Sequence, residues 1–330
     1  MMLLECDKLK MTTNKWSCDY TASFRPSGWH VLCGSSGAGK STLLHLLTGV
    51  VTPQSGDIKM GGKNVSHLPP HQRQLSFMSQ SNFLFPGISI LENLLLALHD
   101  SPASPIEKVR QAREMADRLS LKQEILDRPA SKLSGGQLSR CNLARTLLRP
   151  CSWLLLDEPF SAVDRPTRLS ILKWLQDWQK STGAGIILVS HDLDDIFTVA
   201  TDVHIVENGS VLESGTLSDS LAHPRSIAMA RTLRAGIVVT TPSGPAFIGS
   251  QNLYTSLSLA PVNRANLQSI ALRDAQITRL GSTMRIIDLH HGYDVVMPWD
   301  EHFEGTLWYA PITATGLLRS NGETIVEYAK

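Results

Sequence analysis

Three short runs in this chain carry residue types that do chemistry on a charged ligand. The first is Gly34-Ser35-Ser36-Gly37-Ala38-Gly39-Lys40-Ser41-Thr42, which fits the pattern G-x4-G-K-[ST]. The second is Leu133-Ser134-Gly135-Gly136-Gln137, and the third is the apolar run Trp153–Leu156 ending in Asp157 and Glu158. A polyphosphate concentrates negative charge in a small volume, so a site for it needs many donors, close backbone approach and a metal. Glycines at 34, 37 and 39 let the backbone curl around phosphates without Cβ clashes. A helix starting after the loop aims its first N–H groups at them. Lys40 then reaches the terminal phosphates as a mobile point charge, and the Ser41 hydroxyl sits on Mg2+. Asp157 and Glu158 are adjacent, so a continuing strand would point them to opposite faces. If the strand stops at Asp157, Glu158 can turn toward the same ligand. Ser134 suits a helix cap, and the two glycines after it let helix-start N–H groups approach a phosphate.

The elements around these runs suit that task. Trp29–Cys33 is a short apolar run that reads as a buried strand, and Ser41–Leu47 reads as a helix ended by Gly49 and Pro53. Strand, glycine-rich loop and helix is the context the first run requires. Met2–Phe24 shows strand-like alternation in places (Tyr20, Ala22, Phe24), and Ile58–Gly62 and Leu75–Met78 look like strands. From about 86 to 150 the character is helical, with Leu91–Leu98 and Ile106–Leu119 as the clearest segments. Trp153–Leu156 and Ile186–Val189 read as strands buried on both faces, with the amphipathic helix Arg168–Lys180 between them. The β-α-β order predicts an α/β core with a parallel sheet and an inserted helical subdomain. Past residue 235 the pattern turns to short alternating runs: Ser269–Leu272, Met284–Leu289, Asp294–Met297, Thr306–Tyr309 and Thr324–Tyr328. Turn signals at Gly281-Ser282, His291-Gly292 and Asn321-Gly322 separate them, which suggests a small all-β barrel or sandwich. The expected organisation is therefore 1–235, with the helical subdomain at about 86–150, and 236–330.

Composition excludes several classes. A net charge of +1 gives no bulk attraction to nucleic acid, and none is expected as a partner. No apolar run reaches the roughly 18 residues needed to span a bilayer, so membrane association has to come through a partner. Met1–Lys10 carries Glu5, Asp7, Lys8 and Lys10 and does not read as a secretory signal. The cysteines (Cys6, Cys18, Cys33, Cys141, Cys151) are odd in number and form no C-x-x-C, which suits free thiols in a reducing compartment.

The order of phosphate loop, Leu133–Gln137 (LSGGQ) and Asp157-Glu158 resembles the ATP-binding cassette (ABC) ATPases, over roughly residues 1–225. The resemblance implies ATP and Mg2+ as cofactors, with Ser41, Gln80 and Asp157 toward the metal. It implies Glu158 as the residue that polarises the attacking water, and Gln80 as the glutamine of the loop joining the core to the helical subdomain. His191 resembles the switch histidine at the terminal phosphate. Ser161-Ala162-Val163-Asp164 resembles the loop at the dimer interface, with valine where leucine is usual. It also implies that Leu133, Ser134, Gly135, Gly136 and Gln137 complete the ATP site of a second copy, in a head-to-tail dimer. The family's aromatic residue that stacks on adenine has no clear match. Thr12 and Thr13 stand near its expected place, and Trp16 and Tyr20 are candidates.

Phe83-Leu84-Phe85-Pro86 and Ile88–Asn93 resemble the segment L-F-P-x-x-[ST]-[IV]-x-E-N of importer cassettes. That resemblance implies a peripheral subunit on the cytoplasmic face of the inner membrane. Its partners would be transmembrane permease subunits and an extracytoplasmic solute-binding protein. Ile270–Ile277 distantly resembles a segment of the molybdate-type C-terminal barrel, so molybdate is the first expected solute. Thiamine, iron, sulfate and polyamine importers are the alternatives, as is a soluble ABC ATPase outside transport. In the C-terminal part, His290, His291 and His302 read better as loop residues than as a metal site, and Trp299 and Trp308 as core or interface residues.

Overall fold

The computed structural model describes residues 2–13, 16–81, 84–222 and 224–234, and beyond these the strands named below. The chain divides into two compact units, Met1–Val211 and Leu212–Lys330.

In the first unit, β1 (Leu4–Thr13) and β2 (Trp16–Phe24) form an antiparallel hairpin, and β3 (Trp29–Cys33) leads to α1 (Lys40–Thr48). Next come β4 (Ser55–Met60), β5 (Lys63–Asn64) and β6 (Leu75–Met78), then the helices α2 (Ile90–Ala97), α3 (Pro105–Arg118) and α4 (Gly135–Leu147). β7 (Trp153–Asp157), α5 (Arg165–Thr182), β8 (Gly185–Val189), α6 (Leu193–Val199) and β9 (Asp202–Glu207) follow. One sheet has the order β2-β1-β4-β5 and is antiparallel. The other contains the run β9-β3-β8-β7-β6, in which every pairing is parallel. β3, β7 and β8 are buried at every position, which is why they read as uninterrupted apolar runs.

The hairpin does not alternate simply along Met2–Phe24. Its register shifts between Cys6 and Leu9, where Lys8 takes φ 49°, the mark of a bulge. The strand expected at Ile58–Gly62 runs instead from Ser55 to Met60. Gly61 and Gly62 take positive φ and turn the chain into β5. One core joins the two sheets: Leu4, Leu9, Tyr20, Phe24 and Ile58 pack with Leu43, Leu44, Leu46 and Leu47 of α1 and with Trp153 and Leu155.

Arg73, 3% exposed, plugs the far end of α1. Its guanidinium donates to the carbonyls of Leu46, Leu47, Ser66 and Leu68 at 2.8–3.0 Å. The inserted helices are set by caps. Ser89 and Glu92 form a capping box on α2, and Ser134 and Gln137 form one on α4; Ser104 caps α3 with Pro105 following. Among the described residues, no helix is long and apolar enough to cross a membrane.

The second unit holds two short helices, Leu217–Ala222 and Ile227–Leu233, and then strands. Gly236–Thr241 pairs with Gly244–Gly249, and Thr306–Tyr309 lies between Leu253–Tyr254 and Gln268–Ala271. Ala275–Leu280, Thr283–Asp288 and Tyr293–Pro298 form a meander. All these pairings are antiparallel, in keeping with the all-β expectation. Thr324–Tyr328, the turn signals at 281–282, 291–292 and 321–322, and His290, His291, Trp299 and His302 lie outside the described residues, as does Phe83.

Candidate nucleotide site

Parallel strands place their C-terminal ends along one edge, and the loops leaving those ends form the crevice of such a sheet. Here the glycine loop leaves β3, Gln80 follows β6, Glu158 follows β7 and His191 follows β8. One cleft of about 390 Å³ is lined by Trp16, Ser36, Gly37, Gly39, Lys40, Ser41, Thr42, Gln80, Glu158 and Val189.

The loop itself needs its glycines. Gly34, Gly37 and Gly39 take φ 139°, 79° and 108°. A Cβ on Gly39 would overlap the Tyr20 hydroxyl and the Trp16 ring, whereas one on Gly37 would project into open space. Ser35, Ser36 and Gly37 form the exposed rim, and Ala38 is buried in the core. No side chain caps α1, so the N–H groups of its first turn remain available to a ligand. Lys40 is largely buried and donates to the carbonyls of Gly34 (2.9 Å) and Ser35 (2.8 Å). Its ammonium therefore stands over the loop.

Tyr20 and Trp16 take different places. Tyr20 is fully buried and donates its hydroxyl to the Gly39 carbonyl at 2.7 Å; burial pushes its ionisation up, so the hydroxyl stays a donor. Trp16, two pleats earlier on the same strand, is part-exposed and lines the cleft. Thr12 and Thr13 are exposed at the hairpin end.

The carboxylates show why strand alternation does not separate them. β7 ends at Asp157, and Glu158 takes φ 47°, in the left-handed region that non-glycine residues rarely adopt. Its N–H donates to the Val189 carbonyl at 3.2 Å, which fixes the turn against β8. The Glu158 side chain then accepts from Gln80 Nε2 at 3.3 Å and lies 3.5 Å from His191 Nδ1. The His191 side chain is 74% exposed, so the imidazole can reach a ligand. Asp157 is 2% exposed. Burial pushes its carboxyl up, a hydrogen bond from Ser41 opposes that shift, and the charge on Glu158 adds to it. A buried carboxylate against a hydroxyl at the start of α1 is an oxygen-donor set that suits a hard divalent cation.

Leu133–Gln137 does not line this cleft. Ser134 and Gly135 are exposed, and the Ser134 hydroxyl accepts from Gln137 N at 3.3 Å. The start of α4 rests instead on the loop Ser161–Asp164: a Cβ on Gly136 would lie 2.6 Å from the Ala162 carbonyl. Ser139 donates to the Pro159 carbonyl, a second tie that no sequence signal announced. Asp164 caps α5 by accepting from Thr167 N at 3.0 Å, and Ser161 is exposed. Arg168, with the aspartates after His191, also escaped the sequence reading.

The model of the family described as ABC transporter matches residues 19–161. The molybdate/tungstate import ATP-binding protein of Archaeoglobus fulgidus is 38% identical over 189 residues, covering 57% of this chain and 78% of that one. The thiamine import ATP-binding protein of Vibrio parahaemolyticus is 36% identical over 206 residues, covering 62% of this chain and 88% of that one. Among solved structures, the dimeric post-hydrolysis state of an ATP-binding cassette bound to ADP and phosphate matches with TM-score 0.60. It is 21% identical, covering 65% of this chain and 98% of that one, and bears on the fold. With the phosphate loop, the paired carboxylates and LSGGQ arranged on that fold, the chain belongs to the ABC transporter family, as an ATP-binding subunit that hydrolyses ATP.

Proposed function

We propose that this chain powers solute import through a separate permease, by closing on a second copy of itself around ATP and opening after hydrolysis. The observation that carries this reading is the left-handed turn at Glu158. It brings a second carboxylate to the phosphate loop, within reach of both Gln80 and His191. The first-turn N–H groups of α1 and the Lys40 ammonium would hold the phosphates. Ser41, Asp157 and Gln80 would hold Mg2+, which would neutralise charge on the transferred phosphoryl group. Glu158 would take the proton of the attacking water, with His191 steadying the terminal phosphate. Trp16 would stack on the base.

Exposed Ser134 and Gly135 at the start of α4 fit the ATP of a partner copy, in a head-to-tail dimer, with Ser161 and Asp164 at the junction. The permease would dock in the groove of about 370 Å³ that Val50, His71, Phe77, Arg145 and Arg149 help to line, beside exposed Phe85. The chain would sit peripherally on the cytoplasmic face of the inner membrane, receiving solute from an extracytoplasmic binding protein. Residues 1–235 would be the motor, with its helical subdomain at about 86–150, and 236–330 an accessory β-domain. Molybdate is the first solute to test, on the name of the Archaeoglobus relative; the Vibrio relative makes thiamine the second. Iron, sulfate and polyamines follow.

The experiment is Glu158→Gln in the purified chain. Turnover should fall at least a hundredfold while ATP binding persists, and MgATP should drive a dimer stable on gel filtration. Unchanged turnover would refute the role of Glu158, and a chain that stays monomeric would refute the ATP-clasped dimer.

A further inference from the structure

The segment that carries His191 is tied to the start of α5 by arginines, and Arg168 holds both chain neighbours of the histidine. Arg168 stands one turn into α5, just past the Asp164 cap. Its guanidinium lies 2.6 Å from Asp192 Oδ2, 3.3 Å from Asp195 Oδ1 and 3.9 Å from Asp194 Oδ2. The Arg168 side chain is 13% exposed and that of Asp195 is 3%. Asp194 is shared with Arg165 at 2.6 Å. The Arg168–Asp195 approach is an ion pair without hydrogen-bond alignment, so Coulomb attraction carries it. On the other side of His191, Ser190 donates to Asp195 Oδ2 at 2.7 Å, and Asp192 N donates to the Ser190 hydroxyl at 3.1 Å. Both chain neighbours of His191 are thus fixed to the same guanidinium, Asp192 directly and Ser190 through Asp195. The imidazole between them reaches toward Glu158 at 3.5 Å. Arg168, Glu158, Ser161 and His191 line one cavity of about 220 Å³.

An exposed ion pair would contribute little here. Arg168 and Asp195 are sheltered, and the guanidinium faces three carboxylates at once while hydrogen-bonding Asp192. Burial pushes the Asp195 carboxyl up to about 6, with the Ser190 hydrogen bond and the Arg168 cation opposing that shift.

We propose that Arg168 is a positioning residue for ATP hydrolysis: it holds the loop bearing His191 at the separation from Glu158 that turnover requires. The inference rests on reading Glu158 and His191 as hydrolytic groups. Arg168 touches neither ATP nor the attacking water in this reading; it acts through His191.

A double-mutant cycle on the full-length purified chain tests it, with steady-state kcat and KM for MgATP measured for Arg168→Ala, His191→Ala and the pair. Misplacing a reacting group by about 1 Å costs on the order of a hundredfold. Arg168→Ala should therefore lower kcat about ten- to hundredfold, with KM changed less than about threefold. In the His191→Ala background it should cost less than about threefold, because the group it positions is gone. Arg168→Lys should recover part of the loss. If Arg168→Ala fails to fold, judged by circular dichroism, the cycle is run with Arg168→Lys. An equal loss in both backgrounds would overturn the inference and leave a general structural role. Full kcat in Arg168→Ala beside a crippled His191→Ala would overturn the inference alone. Full kcat in His191→Ala would overturn the hydrolytic reading as well.

Discussion

Replacing Trp16 by alanine separates two aromatic residues that sequence alone left equivalent. Trp16 lines the cleft beside Gly39 and Lys40, and its ring packs against Gly39 closely enough that a Cβ there would lie 2.8 Å from it. The indole is therefore seated on the phosphate loop with one part still open to a ligand. Stacking a base on an aromatic ring contributes about 1–3 kcal/mol. Losing it should weaken MgATP binding by about 5- to 150-fold. Trp16→Phe should stay within a few-fold of the parent, because a π-face remains. Tyr20→Phe removes only the hydrogen bond to the Gly39 carbonyl, at 2.7 Å. That loss costs about 1 kcal/mol of stability, since the Gly39 carbonyl still accepts from Leu43 N at 3.0 Å, and leaves affinity within about threefold. Isothermal titration with MgATP, beside thermal unfolding of each variant, reads both quantities. Trp16→Ala binding within twofold of the parent would refute the stacking assignment. So would Tyr20→Phe weakening ATP as strongly as Trp16→Ala.

Gly136→Ala should reduce the ATP-driven dimer expected of Glu158→Gln, because the new methyl meets the Ala162 carbonyl at 2.6 Å and backbone must shift; cross-linking or gel filtration of the double variant reads this, and an undiminished dimer would contradict it. Acid should also weaken the fold through the buried pair His30 and His204, whose ring nitrogens lie 3.1 Å apart. Burial holds His30 down, and burial together with the His30 charge holds His204 down to about 3. Unfolded imidazoles titrate near 6.5, so from about pH 6.5 downward the unfolded chain binds protons that the native chain refuses. Stability is thus full above that pH and falls below it, by up to about 1.4 kcal/mol per pH unit for His204. Urea midpoints between pH 7 and 5 should fall more steeply for the parent than for His204→Gln; equal slopes would rule this out.

Much of this was legible in the sequence because burial on both faces leaves an unmistakable trace. Trp29–Cys33, Trp153–Leu156 and Ile186–Val189 are strands as read, to within a residue, and so is Leu75–Met78, although its Leu75 and Phe77 are only part-buried. Asp202–Glu207 escaped notice although its first five residues are buried. Its Asp202 accepts from Arg25 and lies 3.7 Å from His30, its His204 meets His30 at 3.1 Å, and both look like solvated residues in a list of letters. Asp192, Asp194 and Asp195 were hidden for the same reason, because an acidic run reads as surface until the arginine that neutralises it is located. Glu158 is subtler. The sequence posed the question of whether the strand ends at Asp157, but the answer is a single backbone angle. Trp16 and Tyr20 differ only in depth along β2, which the pairing Thr13↔Trp16 decides.

The helix that follows the glycine loop is gripped at both extremities. Tyr20 holds the carbonyl before its first turn, and Arg73 gathers the carbonyls of its last. A buried cation at that end cancels the negative pole of the helix dipole, while the positive pole stays bare for an anion. Such a rod can neither tilt nor unwind cheaply when nucleotide arrives. Movement provoked by the nucleotide should then fall outside this helix, which serves as the stationary reference for the rest.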